Sequence, residues 1–444
     1  MKIHGLAVAV VILAILGGVL YWSNHHQAQS GSTASADAPP TILKVDPALI
    51  TELELKRSNA APIVLTKDGS GNWQITEPQP MRADQDAVSG VVSTLSSLNA
   101  ERLVNDKVSD LATYGLAQPA AELDVTDKNH QTKKLLLGDN TPASGGVYAM
   151  LAGDPRVFTV ATYTKTSIDK NEDDLRDKRL ITLAADKVSR VELLRKGQDI
   201  EFGRSRDDWQ ILKPMPLRAD GTKVGDLVRD LTDAKMDLST PARDAASAFD
   251  HATPVATAKL TADSGTQELQ IRKDSKGVYY AKAGDVKGAY KVDSSLGAAV
   301  DKGLEDFRDK KLFDFGYEEP QKIELHNGTK SYYLVQGTGG SDDWWSNGKK
   351  MDGASVESVI SDLRGLSANK FPDSGFSAPM VEATVVSNRG KRTENVQLAK
   401  SGDHYIAKRA GDPILYGLDA SSVDALLKAA EDIAPAPTPA VAKK

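Results

Sequence analysis

Three features of the sequence predict an α+β fold. It is read as three tandem repeats of about 130 residues, each mostly antiparallel sheet with one main amphipathic helix. The first feature is a repeated block. Trp73-Gln74-Ile75, Pro78 and Arg82-Ala83-Asp84 return as Trp209-Gln210-Ile211, Pro214 and Arg218-Ala219-Asp220. The interval from Trp73 to Trp209 equals that from Asp84 to Asp220, so nothing slips across the block. A worn third version holds Trp344-Trp345 and Lys350-Met351-Asp352, with Trp345 following Trp209 at that same interval. The second feature is helical spacing after each Asp. Val88, Val91, Val92, Leu95 and Leu98 make one apolar face; so do Val224, Leu227, Val228 and Leu231, and Val356, Val359, Ile360, Leu363 and Leu366. The third feature is a set of short alternating runs after each helix, which predicts hairpin-connected strands.

Each repeat is expected to run roughly β-β-α-β-β-β-α. Past the helix comes an aromatic residue and then a Pro: Tyr114 with Pro119, Phe249 with Pro254, Phe376 with Pro379. Strand-like runs follow at 122–125, 258–260 and 382–385, then a strand pair around Tyr148, Tyr280 or Tyr405. Leu137-Gly138-Asp139 with Gly145-Gly146 reads as a hairpin turn. Leu175-Arg176-Asp177-Lys178-Arg179-Leu180 matches Phe307-Arg308-Asp309-Lys310-Lys311-Leu312. The third repeat lacks this motif and stops at a helix over 421–433, so the motif reads as a joint needed only when another repeat follows.

The ends of the chain have a different composition. Gly5 to Trp22 is an unbroken run without a charge. As a helix it would span about 27 Å, near the hydrocarbon thickness of a bilayer. Tyr21 and Trp22 close it, Lys2 precedes it, and no Lys or Arg follows until Lys44. The positive-inside rule then predicts a single-pass inner-membrane anchor with the bulk of the chain periplasmic or otherwise extracytoplasmic. A cleaved signal peptide is the alternative, but its apolar core would be shorter. The expected layout is an anchor at 1–23, a linker at 24–41, repeat domains at 42–182, 183–315 and 316–433, and a mobile Pro/Ala tail at 434–444.

Composition bounds the chemistry. Over 444 residues the net charge is −6, with 55 basic and 61 acidic side chains, which gives no electrostatic footprint for nucleic acid. Cys is absent, which excludes disulfides, thiolate metal sites and Cys nucleophiles. The seven His residues are scattered and do not recur between repeats; His25-His26 sits in the linker. No phosphate-cradling or nucleophile-elbow motif occurs. No catalytic residue, metal or cofactor is assigned, and the ligand is open.

The motif series Trp-x-Ile-x-x-Pro, Arg-Ala-Asp, Tyr-Gly-Leu-x-x-Pro (114–119), Leu-Gly-Asp (137–139) and Val-Tyr-Ala resembles the bacterial domain-of-unknown-function family 4340 (DUF4340). The match is best in the first repeat; the second has Phe-Asp-His-Ala-Thr-Pro where the first has Tyr-Gly-Leu-Ala-Gln-Pro. The resemblance implies a membrane-anchored extracytoplasmic protein found beside ABC-type transport components. It carries no catalytic residue to transfer.

The candidate contacts for a partner or ligand are Arg82, Asp84, Arg218, Asp220, Lys350 and Asp352. Each Asp also stands where a helix N-cap is expected. The tryptophans Trp73, Trp209 and Trp345 are expected in the core, as are Tyr148, Tyr280 and Tyr405. The expected function is a non-catalytic scaffold or accessory subunit of an ABC-type transport or envelope complex. A glycan- or polymer-binding module is the alternative, and a carboxylate-dependent hydrolase a more remote one.

Overall fold

The computed structural model describes residues 40–437, except 143–144, 207, 316–319 and 338–342. The expected anchor at 1–23 lies outside the described residues. Among the described residues, no helix is long and apolar enough to cross a membrane. The chain divides into two compact units, Met1–Asp177 and Lys178–Lys444.

The first unit holds one nine-stranded antiparallel sheet. Across it the strands run Met81–Arg82, Trp73–Glu77, Ala60–Lys67, Ile50–Arg57, Ala121–Asp127, Thr132–Asn140, Gly146–Leu151, Val157–Ala161 and Arg102–Asn105. Period-two alternation puts Leu53, Leu55, Leu65, Leu123, Val125 and Leu135 on one face. Helix Gln85–Ser96 covers that face with Val88, Val91, Val92 and Leu95. Each fully buried aliphatic side chain there contributes roughly 1.5–3 kcal/mol. The chain comes in through strand Thr41–Lys44, which pairs with Ser97–Asn99 just past the helix.

The second unit holds two eight-stranded antiparallel sheets. One contains the strands from Arg190–Arg195 to Tyr290–Val292, the other those from Lys322–Asn327 to Leu415–Asp419. Both follow the strand order of the first sheet, four strands before the long helix and four after it. The expected pattern, two strands before the helix and three after it, undercounted both halves: a two-residue edge strand ends at Arg82, Arg218 or Lys350, and the Tyr strand is paired on both sides. The long helices are Gly221–Thr232 and Gly353–Gly365, each burying its expected stripe.

Strand register corrects two aromatic assignments. Trp73, Trp209 and Trp344 are buried, whereas Trp345 is 41% exposed. The constant interval between tryptophans therefore picked the wrong neighbour, because the third hairpin is shorter. A shift of one residue along a strand exchanges its faces. Likewise Ala149, Ala281 and Ala407 correspond, each paired with a buried residue of the neighbouring strand. Tyr405 therefore corresponds to Tyr279 on the helix-covered face, and Tyr148 and Tyr280 face the other side. There Tyr280 packs under helix Ala242–His251 with Phe249, and Tyr148 meets Tyr114 edge-on at 5.0 Å.

Leu137-Gly138-Asp139 is a correction too. It lies within strand Thr132–Asn140, at a register shift, and is not a turn. The Tyr114-Gly115-Leu116 turn is pressed against it. A Cβ on Gly138 would run into the Tyr114 carbonyl, and one on Gly115, at φ 66°, into the Asp139 carboxylate. Gly138 serves close approach between backbones, and Gly115 serves a left-handed turn beneath the Asp139 carboxylate.

Candidate functional site

The six sequence candidates sit at the edge hairpin of each sheet, where Arg-Ala-Asp leads into the long helix. Asp84 Oδ1 accepts from the amides of Asp86 at 3.0 Å and Ala87 at 3.1 Å. Asp220 Oδ1 accepts from Thr222 at 3.0 Å and Lys223 at 3.1 Å, and Asp352 Oδ2 from Ser355 at 2.9 Å. All three carboxylates are occupied as N-caps, worth about 1 kcal/mol each. In the first hairpin the Gln85 side chain also clasps Trp73, its carbonyl accepting from the Trp73 amide at 2.8 Å and its N–H donating to the Trp73 carbonyl at 2.9 Å.

The basic residues meet the joint motif. The Asp84 amide donates to the Leu175 carbonyl, and the Asp177 amide to the Arg82 carbonyl. The Arg82 side chain lies 3.8 Å from the Asp177 carboxylate. In the second sheet the Asp220 amide donates to the Phe307 carbonyl and the Asp309 amide to the Arg218 carbonyl. There Arg218 pairs with Asp309 and donates to the Lys311 carbonyl at 2.7 Å. Lys350 is different: it reaches Asp343 at 2.8 Å.

The other half of the motif faces forward along the chain. Lys178 to Leu180 pair with Ala234 to Met236, and Lys310 to Leu312 with Leu366 to Ala368. Thr41–Lys44 does the same for the first sheet. The motif is thus a two-sided splice. This is why the two units part between Asp177 and Lys178, not at 182/183, and why the second joint changes sides after Asp309, before the expected 315/316.

The expected mobile tail is also corrected at its start. Ala434 accepts from the Asp352 amide, Ala436 donates to the Lys350 carbonyl, and Pro435 bridges Met351. An uncovered edge strand is otherwise left with open backbone groups. This segment covers the third edge as the joints cover the first two.

The second unit has a solvent-open cavity of about 820 Å³ along its second-to-third sheet joint. Four basic side chains (Arg218, Lys223, Lys310, Lys311) line it with four acidic ones (Asp208, Asp220, Asp309, Asp314). Asp220 is committed to its helix, Asp309 to Arg218, and Asp314 to Arg392 at 2.8 Å. The balance leaves no net field to select an anion. Burial pushes the Asp309 carboxyl above its ordinary range against the pull of Arg218. Nearby, Arg308 lies over Phe371, which meets Tyr416 edge-on, and Ile414 packs against both cores. Burial and the Asp412 carboxylate, which accepts from its hydroxyl at 2.5 Å, push the Tyr416 phenol up.

Several residues escaped the sequence reading. Glu394 is almost fully buried, accepting from Arg409 at 2.5 Å, Arg392 at 3.3 Å and the Asp314 amide at 3.1 Å. It pins the incoming segment to the third sheet. At the corresponding position Gln267 grips Thr182 through two bonds of 2.8 Å, and Lys133 donates to the Lys44 carbonyl at 3.2 Å. Three residue types doing one job leave no motif to find. Arg57 and Arg195 are a recurring pair that a closer comparison would have found. Arg57 binds Asp169 at 2.6 Å and the Lys170 carbonyl; Arg195 binds Asp301 and the Lys302 carbonyl. Among the described residues, no group of three His, Asp or Glu side chains is arranged to hold a metal ion.

A family model described as a domain of unknown function (DUF4340) matches residues 73–210 and, adjacent to it, 209–383. Each match starts at a hairpin tryptophan, Trp73 or Trp209, so the family unit is out of phase with the sheets and runs through the joint. No curated protein matches the chain.

Proposed function

As the chain belongs to the DUF4340 family, we propose that it is a membrane-anchored, extracytoplasmic array of three tandem copies. It acts as a non-catalytic scaffold or accessory subunit of an ABC-type transport or envelope complex. The observation that carries this reading is the splice. Each joint completes one sheet's edge and opens the next, so adding copies extends a surface without building a new enclosed site. The apolar Gly5–Trp22 segment supports attachment to a bilayer. The test is crosslinking in intact cells, purification of the full-length chain and mass spectrometry of what accompanies it. A transport permease or ATPase in stoichiometric amount, lost when residues 5–22 are replaced by a cleavable signal, is the expected result. Recovery of the chain alone overturns the reading.

A second reading, binding of an envelope glycan, is favoured by one observation. Tyr333 and Trp345 are each 41% exposed and stand diagonally on neighbouring strands of the third sheet's outer face. The corresponding pairs are Val64 with Gln74 and Glu201 with Gln210. Titrating the full-length chain with soluble peptidoglycan fragments should quench its tryptophan fluorescence, and Trp345→Phe should abolish the response. An unchanged spectrum rules this reading out.

A further inference from the structure

The three edge hairpins accept a strand in the same way but hold it by different means. In the first two, backbone bonds are joined by two side-chain anchors. Leu175 and Phe307 are fully buried, and Phe307 meets Phe202 edge-on at 4.9 Å. Asp177 and Asp309 then bring a carboxylate to the hairpin arginine. In the third hairpin both anchors are missing. Ala434, in the place of Phe307, is exposed. Ala436, in the place of Asp309, offers a methyl group to Lys350, whose side chain is 49% exposed and turned to Asp343. Pro435 between them has no N–H to give. What remains is the pair of backbone bonds and one bond of 3.3 Å from the Ala434 amide to the Ser355 hydroxyl.

We propose that the edge of the third sheet at Lys350–Asp352 is an acceptor for an extended acidic segment of a partner protein. The segment adds as a strand in place of Ala434–Ala436 and sets a carboxylate against Lys350. Two arguments select this occupant. The edge already takes strands through its backbone, the general mode of strand-addition recognition. The charge is complementary, since the same fold places an Asp against the basic residue in both other hairpins. Ala434–Ala436 then acts as a resident, weakly held cover that a better-anchored strand displaces. The inference does not depend on the partner belonging to a transport complex, and its test needs neither membrane nor transporter.

The probe is a fluorescent peptide with the sequence of residues 303–309, which is acidic and keeps Phe307 and Asp309, offered to the full-length chain in detergent and to a chain ending at Ile433. The truncated chain should bind at least about tenfold more tightly, since the competing cover is gone. An Asp309→Asn peptide should lose about tenfold, and Lys350→Glu in the protein should remove the preference for Asp over Asn. In the full-length chain, Ala436→Asp should raise the melting temperature and weaken peptide binding by supplying the missing carboxylate in cis. A folded truncated chain that ignores the peptide overturns the proposal, and so does equal binding of the Asp and Asn peptides. If truncation prevents folding, an unchanged melting temperature for Ala436→Asp overturns it.

Discussion

Hairpins 209–220 and 344–352 begin on a buried tryptophan and end on an aspartate that caps a helix, yet they are closed by different chemistry. The second-sheet hairpin is closed by Phe307-Arg308-Asp309, with a buried ring and a partly buried ion pair. The third is closed by Ala434-Pro435-Ala436, with backbone bonds and little else. The invariant parts are those the sheet needs in order to fold: an apolar anchor under the helix and a satisfied helix terminus. The variable part is the strand laid on the edge, which sets how firmly that edge is shut.

This contrast can be broken most sharply at the tryptophans. Trp344→Ala should cost about 3–5 kcal/mol in chemical denaturation, as for a large buried ring. Trp345→Ala should stay within about 0.5 kcal/mol, as for a surface change. A reversed order would show that the register drawn for the third hairpin is wrong. Next in size is the closing charge. Arg218→Ala strands the Asp309 carboxylate and should cost about 1–3 kcal/mol. Lys350→Ala removes only a half-exposed pair and should cost about 0–1 kcal/mol. Equal losses would mean that the third edge is closed as firmly as the second.

The caps should behave alike in both hairpins. Asp220→Ala and Asp352→Ala should each lose about 1 kcal/mol, and a loss far larger at one site would reveal a role beyond capping.

The smallest effects are in pH dependence, where two carboxylates of the second unit have opposite signs. The Asp237 carboxyl is lowered from 3.8 to about 2 by the Lys291 hydrogen bond and then by Ser239. Its contribution is present above about pH 4 and fades as pH falls toward 2. Asp309 is raised, so the unfolded chain ionises first and stability declines as pH climbs above its ordinary 3.8. Melting temperature should rise less steeply from about pH 2 to pH 4 in Asp237→Asn, and should decline less above pH 3.8 in Asp309→Asn. The same profile in both variants would refute the assignment.

Much of the fold was legible because it repeats a period. The apolar stripe from Val224 to Leu231 has one reading as a helix, and Asp220 before it one reading as a cap. The hairpin tryptophans marked the same place in every sheet. Legibility failed where one residue of register decides the outcome. Trp345 and Tyr405 looked like the corresponding aromatics, but neighbouring strand residues point to opposite faces, and only pairing settles which is inside. The candidate site was legible as residues, Arg82 to Asp352, but not as contacts. The residue that meets Arg218 lies 91 positions along the chain, and no local pattern connects the two.

The α+β class, the antiparallel strands, the three long helices with their caps, and membership of the family all follow from the chain read as text. They depend on short-range periodicity and on residue types at fixed spacing. The division of the joint motif is a different matter, visible only once the sheets are assembled. Its first half completes the sheet behind it and its second half opens the sheet ahead. The covering of the last edge by Ala434–Ala436 belongs with it. Backbone hydrogen bonds between strands carry no side-chain signature, so an Ala-Pro-Ala segment can take the place of Phe-Arg-Asp without any trace of that role in its composition.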